Sequence, residues 1–190
     1  MPGLARGEEL NALGADLNYW RHHLGTVPDA VWDELGARTL VLAENDLAEL
    51  SPKIGRLAGL DMLDLGHNRL TDVPAALGEL VGLSGFLYLH DNLLTSLPPE
   101  LGRLRALRYL NLGENRFTEL PACVLEMTAL VELRADNNGL AAIPPAIAAL
   151  ANLRELHLRD NQLAELPSSM GELGELRVLD LRGNPLHSLP

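Results

Sequence analysis

The chain has 190 residues, 47% of them hydrophobic, and a formal net charge of −11 at pH 7. That hydrophobic content excludes a disordered chain, and no apolar run approaches the roughly 20 residues that a membrane-spanning helix needs. The negative charge argues against nucleic acid or an anionic membrane surface as the main partner.

The N-terminal 36 residues predict a cap followed by one degenerate repeat. Residues 1–13 contain no apolar core of a signal peptide, and we expect them to fold over the first repeat as a polar cap. The leucine spacing of the later chain already begins within residues 14–36, although His22 stands where an asparagine recurs later. We expect His22 to replace that asparagine and Trp20 to pack under the cap.

From residue 37 onward, seven asparagines recur every 23 residues with a single 24-residue step, each in the same frame of leucines. The frame reads L-x-x-L-x-L-x-x-N-x-L-x-x-L-P-x-x-L-G-x-L-x-x, with six full repeats over residues 37–175 and a truncated one over 176–190. Self-similarity at this period predicts a stack of equivalent coils. The asparagines are Asn45, Asn68, Asn92, Asn115, Asn138, Asn161 and Asn184.

Each frame predicts one short strand and one short turn. Alternation such as Leu63-Asp64-Leu65 is typical of a strand with one buried face, and stacked copies form a parallel sheet. A following proline, such as Pro74, prevents a long helix, so we expect short helical or 3-10 segments on the convex side and the sheet on the concave side. The asparagine amides are expected to bond to carbonyl groups of adjacent coils. The one extra residue predicts a β-bulge near Ser84-Gly85.

On these repeated residues the chain resembles leucine-rich repeat proteins. Its Leu-Pro-x-x-Leu-Gly-x-Leu second half is similar to the 23-residue class of bacterial cytoplasmic proteins and Ras-group scaffolds. The resemblance extends from about residue 14 to the end, and it implies a right-handed α/β solenoid forming a single domain over residues 1–190. It also implies partner binding, without catalytic residues of the family's own.

Aromatic residues gather at the outward strand positions in the middle of the predicted sheet. Phe86, Tyr88 and Tyr109 are three of the chain's seven Phe, Trp and Tyr residues. Because aromatic residues are frequent hot spots of interfaces, we interpret them as anchors for a protein or peptide ligand. The alternative is that they only stack on one another across the strands. The full predicted partner-binding set is Met62, Phe86, Tyr88, His90, Tyr109, Asn111 and Arg134.

Charged residues dominate the remaining exposed positions. Those on the C-terminal strands would either set the register of a partner or pair with one another; they are Glu132, Arg134, Asp136, Glu155, His157, Arg159, Asp180 and Arg182. Near the ends of earlier strands, Glu44, His67 and Asp91 could converge on a cation. Acidic residues are common at exposed strand ends, however, so we predict neither a metal nor a cofactor.

Enzyme signatures are absent from the sequence, which contains no phosphate-binding loop, dinucleotide fingerprint or nucleophile elbow. The single cysteine, Cys123, falls on a predicted convex turn, far from the histidines of the opposite side, so we predict that the chain is not an enzyme.

One cysteine cannot form an intrachain disulfide, and with the missing signal peptide this predicts a cytoplasmic protein. The basic residues are almost all arginine, with Lys53 as the only lysine, and this usage favours a bacterial origin.

The sequence stops midway through a repeat, so leucines such as Leu179 and Leu189 are expected to leave an open apolar edge. Three explanations stay open at this point. The chain belongs to a longer protein with further repeats or a kinase-like domain, two copies form a homodimer through this edge, or a short tail is sufficient.

Overall fold

The computed structural model describes residues 15–188, which form one stack of coils with a single open sheet. Eight parallel strands of three residues lie side by side in chain order, each paired only with its sequence neighbours. The strands are β1 Asp16–Asn18, β2 Thr39–Val41, β3 Met62–Asp64, β4 Phe86–Tyr88, β5 Tyr109–Asn111, β6 Glu132–Arg134, β7 Glu155–His157 and β8 Val178–Asp180. The predicted solenoid with a parallel concave sheet is therefore confirmed. The expected cap, residues 1–13, lies outside the described residues.

Five-residue 3-10 helices return the chain across the convex side, as predicted. They are η1 Asp29–Asp33, η2 Pro52–Arg56, η3 Ala75–Glu79, η4 Pro99–Arg103, η5 Ala122–Glu126, η6 Pro145–Ala149 and η7 Ser168–Glu172. A proline in extended or near-extended conformation stands directly before six of the seven, for example Pro74 before η3. Because proline fixes its own φ and disfavours helix at the residue before it, these segments start sharply and stay short.

The core runs along the whole stack as columns of leucine. The middle residue of each strand from β2 to β7 is fully buried, whereas the two residues beside it face the exposed side of the sheet. In register, Leu110 of β5 lies between Leu87 and Leu133, so each leucine packs mainly against the equivalent residues of its two neighbours. At the last strand, Leu179 is 38% exposed. Burial in this fold therefore depends on having a coil on both sides.

The extra residue of the fourth coil lies between Leu83 and Phe86, before strand β4 begins. The backbone N–H groups of Gly85 and Phe86 both donate to the carbonyl of Asp61, at 3.0 and 3.2 Å, just as Asp61 and Met62 donate to the carbonyl of Arg38 in the preceding coil. The strand that follows keeps an unbroken register, with Phe86 opposite Met62. The insertion is thus absorbed at the entrance of the strand, and it does not displace the exposed side chains of β4.

Each asparagine of the repeat ties two coils together. Asn68 is 8% exposed, and its Nδ2 donates to the carbonyls of Leu42, Leu65 and Gly66 at 2.9–3.0 Å. Its Oδ1 accepts the backbone N–H groups of Asn45 and Leu47, both at 3.0 Å. One amide therefore satisfies five backbone groups that the turn out of the strand would otherwise leave without partners.

The residue directly before each asparagine has a left-handed backbone. Before the first six asparagines these residues have φ between +48° and +56°, and they include Glu44, His67, Asp91 and Glu114. In the last coil the same position is Gly183, with φ of +75°. Left-handed backbone costs a non-glycine residue roughly 1–2 kcal/mol, so the asparagine network must hold the chain in this conformation.

A glycine in the convex helices marks the closest approach of two coils and gives a test of the packing. A Cβ built on Gly78 would overlap the carbonyl of Glu100 in the next 3-10 helix, whereas one on Gly171, at the equivalent repeat position, meets nothing within 4 Å. We expect Gly78→Ala to lower the free energy of unfolding by about 1–3 kcal/mol because backbone cannot move aside easily. Urea denaturation would measure it. Equal effects at both positions would contradict this account of the packing.

Candidate functional site

Three aromatic rings form a continuous surface in the middle of the sheet, which we call the central aromatic patch: Phe86, Tyr88 and Tyr109. The rings of Phe86 and Tyr88 are nearly parallel, with centroids 6.0 Å apart. Tyr109 of the next strand lies 5.4 Å from Phe86 and 5.0 Å from Tyr88, tilted by about 50° to each. Phe86 remains 45% exposed. The rings therefore stack across strands and also present apolar surface to solvent.

Met62 and Asn111 border the patch on the neighbouring strands. Met62 lies opposite Phe86 and is half-buried, which extends the apolar surface by one strand. Asn111 lies opposite Tyr88, and its Oδ1 accepts the backbone N–H of Gly113 at 3.0 Å. The Asn111 oxygen is thus engaged in its own turn.

On the C-terminal side, the patch meets a cluster of charged residues that pair with one another. Arg134 Nε donates to Glu132 Oε1 at 2.6 Å. His157 Nε2 lies 3.2 Å from a carboxylate oxygen of Glu155 and 3.9 Å from one of Glu132. In the last coil, hydrogen bonds from Arg182 hold the pKa of the Asp180 carboxyl well below its usual range. Much of this charge is consequently balanced within the sheet.

A groove of about 470 Å³ opens beside the patch, at the edge where the strands begin. Phe86 and Tyr109 form its apolar wall, while Arg108 and Asp61 bring charges of opposite sign. The remaining lining residues are Ser84, Gly85, Val131 and Glu132. Sequence reasoning did not single out Arg108 or Asp61 because they precede the strands, one position before the outward columns of the repeat.

The three residues considered for a cation, Glu44, His67 and Asp91, do not meet at one point. Glu44 binds the Trp20 indole N–H at 2.9 Å and the Arg21 guanidinium, whose hydrogen bond lowers the pKa of the Glu44 carboxyl. His67 instead contacts Asp91.

Trp20 is 50% exposed on this surface, and the cap expected to cover it lies outside the described residues. His22 is exposed and packs edge-on to Tyr19, with centroids 5.8 Å apart.

The tyrosines of the patch are protected from ionisation. Burial, with a smaller contribution from Glu132, raises the pKa of Tyr109 to about 12, and burial together with Asp64 raises that of Tyr88. Since the folded state holds the Tyr109 proton more tightly than the unfolded chain, its stabilising contribution is complete below pH 10 and is lost as pH rises towards 12.

An ultraviolet titration of phenolate absorbance would test this burial. We expect the transition of Tyr109 to occur near pH 12 instead of the ordinary 10, and to disappear in Tyr109→Phe. Tyr109→Phe should also make the free energy of unfolding less sensitive to pH between these two values. A Tyr109 transition near pH 10 would show that its hydroxyl is freely solvated.

The cysteine lies away from this surface. Cys123 is 4% exposed in η5 on the convex side, and burial raises the pKa of its thiol to about 11. A thiol that stays protonated near neutral pH is a poor nucleophile.

Among residues 15–188, no helix has the length and apolar character that crossing a bilayer requires.

Comparison with known proteins finds a matching family model and similar solved structures. The family model described as Leucine rich repeat matches residues 86–140 and 128–186. No curated protein sequence matches the chain.

Similar solved structures include proteins of bacteria and of a plant. A leucine-rich repeat protein of Leptospira interrogans is 27% identical over 92% of this chain, with a TM-score of 0.69. Internalin C2 of Listeria monocytogenes is 31% identical over 81%, with a TM-score of 0.71. The ectodomain of the Arabidopsis thaliana receptor kinase GASSHO1/SCHENGEN3, solved in complex with CASPARIAN STRIP INTEGRITY FACTOR 2, is 34% identical over 85%, with a TM-score of 0.74. The matches span 56%, 66% and 20% of those respective chains.

Proposed function

We propose, since the chain belongs to the leucine-rich repeat family, that it is a binding module whose concave sheet holds a protein or peptide. Proteins of this family generally bind protein partners. The observation that carries the proposal is the exposure of the central aromatic patch, where Phe86 keeps 45% of its surface in contact with solvent. Tyr88 and Tyr109 would be the other anchors, with Met62, His90, Asn111 and Arg134 around them.

The geometry of the patch supports a role as an anchor site. Its rings are held by mutual contacts at 5.0–6.0 Å on three-residue strands, so little side-chain entropy would be lost when a ligand covers them. The adjoining groove offers about 470 Å³ for a side chain of the partner. An apolar centre with charged groups such as Arg108 and Glu132 at its rim is typical of protein interfaces.

Capture of partners from a lysate of the source cells would test the proposal. The wild-type chain and Tyr88→Ala/Tyr109→Ala are immobilised side by side, and the retained proteins are identified by mass spectrometry. We expect a protein that wild type retains to be lost from the double variant, because each truncated anchor weakens binding by about 2 kcal/mol, roughly thirtyfold.

A matched control separates this effect from general damage to the solenoid. Thr118→Ala changes an exposed residue beside the convex turn, far from the sheet face, and should leave capture unchanged. Circular dichroism would verify that both variants fold. Identical retained proteins for wild type and the folded double variant would contradict concave recognition.

An edge interaction is the second candidate function, and the exposure of the last strand favours it. Val178 and Leu179 are 40% and 38% exposed at the end of the described stack. A homodimer formed there would bury both residues, and Leu179→Glu would convert it to monomer in sedimentation experiments without affecting the concave face. Unchanged sedimentation would remove this candidate.

The remaining properties of the proposed module concern chemistry and location. We infer that the chain itself is non-catalytic, since the buried Cys123 thiol is poorly ionised. A single, buried cysteine is compatible with a reducing compartment, and on this ground we propose that the module works in the cytoplasm. A catalytic output, such as that of a kinase-like domain, would then belong to a longer protein that includes this module.

A further inference from the structure

Two histidines at the edge of the central aromatic patch direct ring nitrogens towards each other. His67 and His90 follow the adjacent strands β3 and β4, and their Nε2 atoms lie 3.2 Å apart. The rings are nearly perpendicular, at 80°, with centroids 4.6 Å apart. Without a metal, this distance fits one hydrogen bond between two neutral imidazoles.

The same distance also fits two ligands of one metal ion. Imidazole nitrogens bind Zn²⁺ at 2.0–2.1 Å in tetrahedral geometry, which places two such nitrogens about 3.3 Å apart. The observed separation of 3.2 Å is close to that value. Two nitrogen ligands favour Zn²⁺ and the neighbouring transition metals over Mg²⁺ or Ca²⁺, which prefer oxygen.

Asp91 supplies the outer support that metal-binding histidines usually have. Its Oδ2 lies 2.6 Å from His67 Nδ1, so this nitrogen donates to the carboxylate and leaves the lone pair of the other nitrogen for a ligand bond. A carboxylate that accepts the second ring N–H fixes the tautomer and raises the basicity of the metal-binding nitrogen. The backbone is left-handed at both His67 and Asp91, and both side chains are about half exposed.

Gly66 provides the space that positions the second histidine. A Cβ built on Gly66 would overlap the ring of His90, and Nδ1 of that ring is buried without a hydrogen-bond partner in the described chain. Only Nε2 of His90 is therefore available to a metal.

We propose that His67 Nε2 and His90 Nε2 bind one Zn²⁺ ion at the edge of the concave face, with Asp91 as the outer support of His67. His67 keeps 45% of its side chain exposed, so the ion is reached from solvent. Two protein ligands leave further coordination positions, which water or a side chain of a bound partner would fill. The site shares His90 with the border of the proposed binding surface, since the ring of His90 is 6.0 Å from that of Tyr88, but binding of the ion does not require a bound partner.

Calorimetric titration of the metal-free chain with Zn²⁺ near neutral pH tests the proposal. We expect one Zn²⁺ per chain, and a loss of affinity of at least about tenfold in His67→Gln and in His90→Gln. Asp91→Asn should weaken binding about tenfold although both ligands remain. Gly66→Ala should also weaken it, because the added methyl group displaces the ring of His90.

His157→Gln is the matched control, since Glu132, Glu155 and His157 bring ligand atoms within 4.8 Å of one another in a competing cluster. We expect this variant to bind Zn²⁺ like wild type. As a second readout, electron paramagnetic resonance with Cu²⁺ should report two nitrogen ligands in wild type and one in each histidine variant. The proposal is overturned if wild type does not bind Zn²⁺, if binding survives in His67→Gln and His90→Gln, or if it is lost in His157→Gln.

Discussion

Replacing Leu110 with alanine is expected to lower the free energy of unfolding by about 4 kcal/mol. Leu110 is fully buried at the centre of β5, between Leu87 and Leu133. The flanking coils are held at the strand spacing by backbone hydrogen bonds, so they cannot collapse into the cavity that the truncation leaves. The loss should therefore fall in the upper part of the range for leucine truncations, and urea denaturation would measure it.

The repeat supplies a matched control for this prediction. Leu179 occupies the same repeat position in β8 but is 38% exposed, so Leu179→Ala removes the same atoms from a partly solvated site. We expect it to cost less than about 1.5 kcal/mol. Equal losses of free energy of unfolding in both variants would contradict this prediction. They would mean that this protein, unlike other solenoid proteins, is not stabilised by packing between neighbouring coils.

Asn68→Ala is expected to lower the free energy of unfolding by about 3 kcal/mol, although no hydrophobic contact of comparable size is removed. The amide of Asn68 serves five backbone groups from two coils, three of them carbonyls and two of them N–H groups. The site is only 8% exposed, so water cannot replace all of these bonds without a rearrangement. The left-handed backbone of His67 would also lose its support.

Asn152→Ala gives the comparison for Asn68→Ala. Asn152 is exposed, and its Nδ2 donates a single hydrogen bond, to the carbonyl of Thr128 at 2.9 Å. Its replacement should cost less than about 1 kcal/mol. Two-state urea denaturation curves of the two variants, analysed with a common slope, would give the two losses of free energy of unfolding. A small effect at both positions would mean that water substitutes for the hydrogen bonds of Asn68.

The repeat period made most of the fold predictable. Because each asparagine marks the same point of the coil, the strands, the convex 3-10 helices and the outward columns follow from simple counting. Phe86, Tyr88 and Tyr109 could be placed on adjacent strands in this way. Contact between their rings was then a consequence of the spacing of parallel strands.

Side-chain directions outside the strands could not be predicted in the same way. At His67 and Asp91 the left-handed backbone accompanies hydrogen bonds from their N–H groups to carbonyls of the next coil, which the sequence of a single coil does not reveal. For the same reason, Glu44 was considered with these two as a cation ligand, whereas Arg21 holds it. The pairing of His67 with His90 depends on the missing side chain of Gly66, whose role appears only when two coils are stacked.

Hydroxyl-radical footprinting of the chain with and without its captured partner tests the central claim most directly, because oxidation reports the exposure of aromatic and methionine side chains. The concave-binding account predicts that Phe86, Tyr88, Tyr109 and Met62 become protected, while Trp20, which is 50% exposed away from the patch, reacts as before. Protection confined to Trp20, or to Val178 and Leu179 at the last strand, with unchanged oxidation of the aromatic patch, would contradict it.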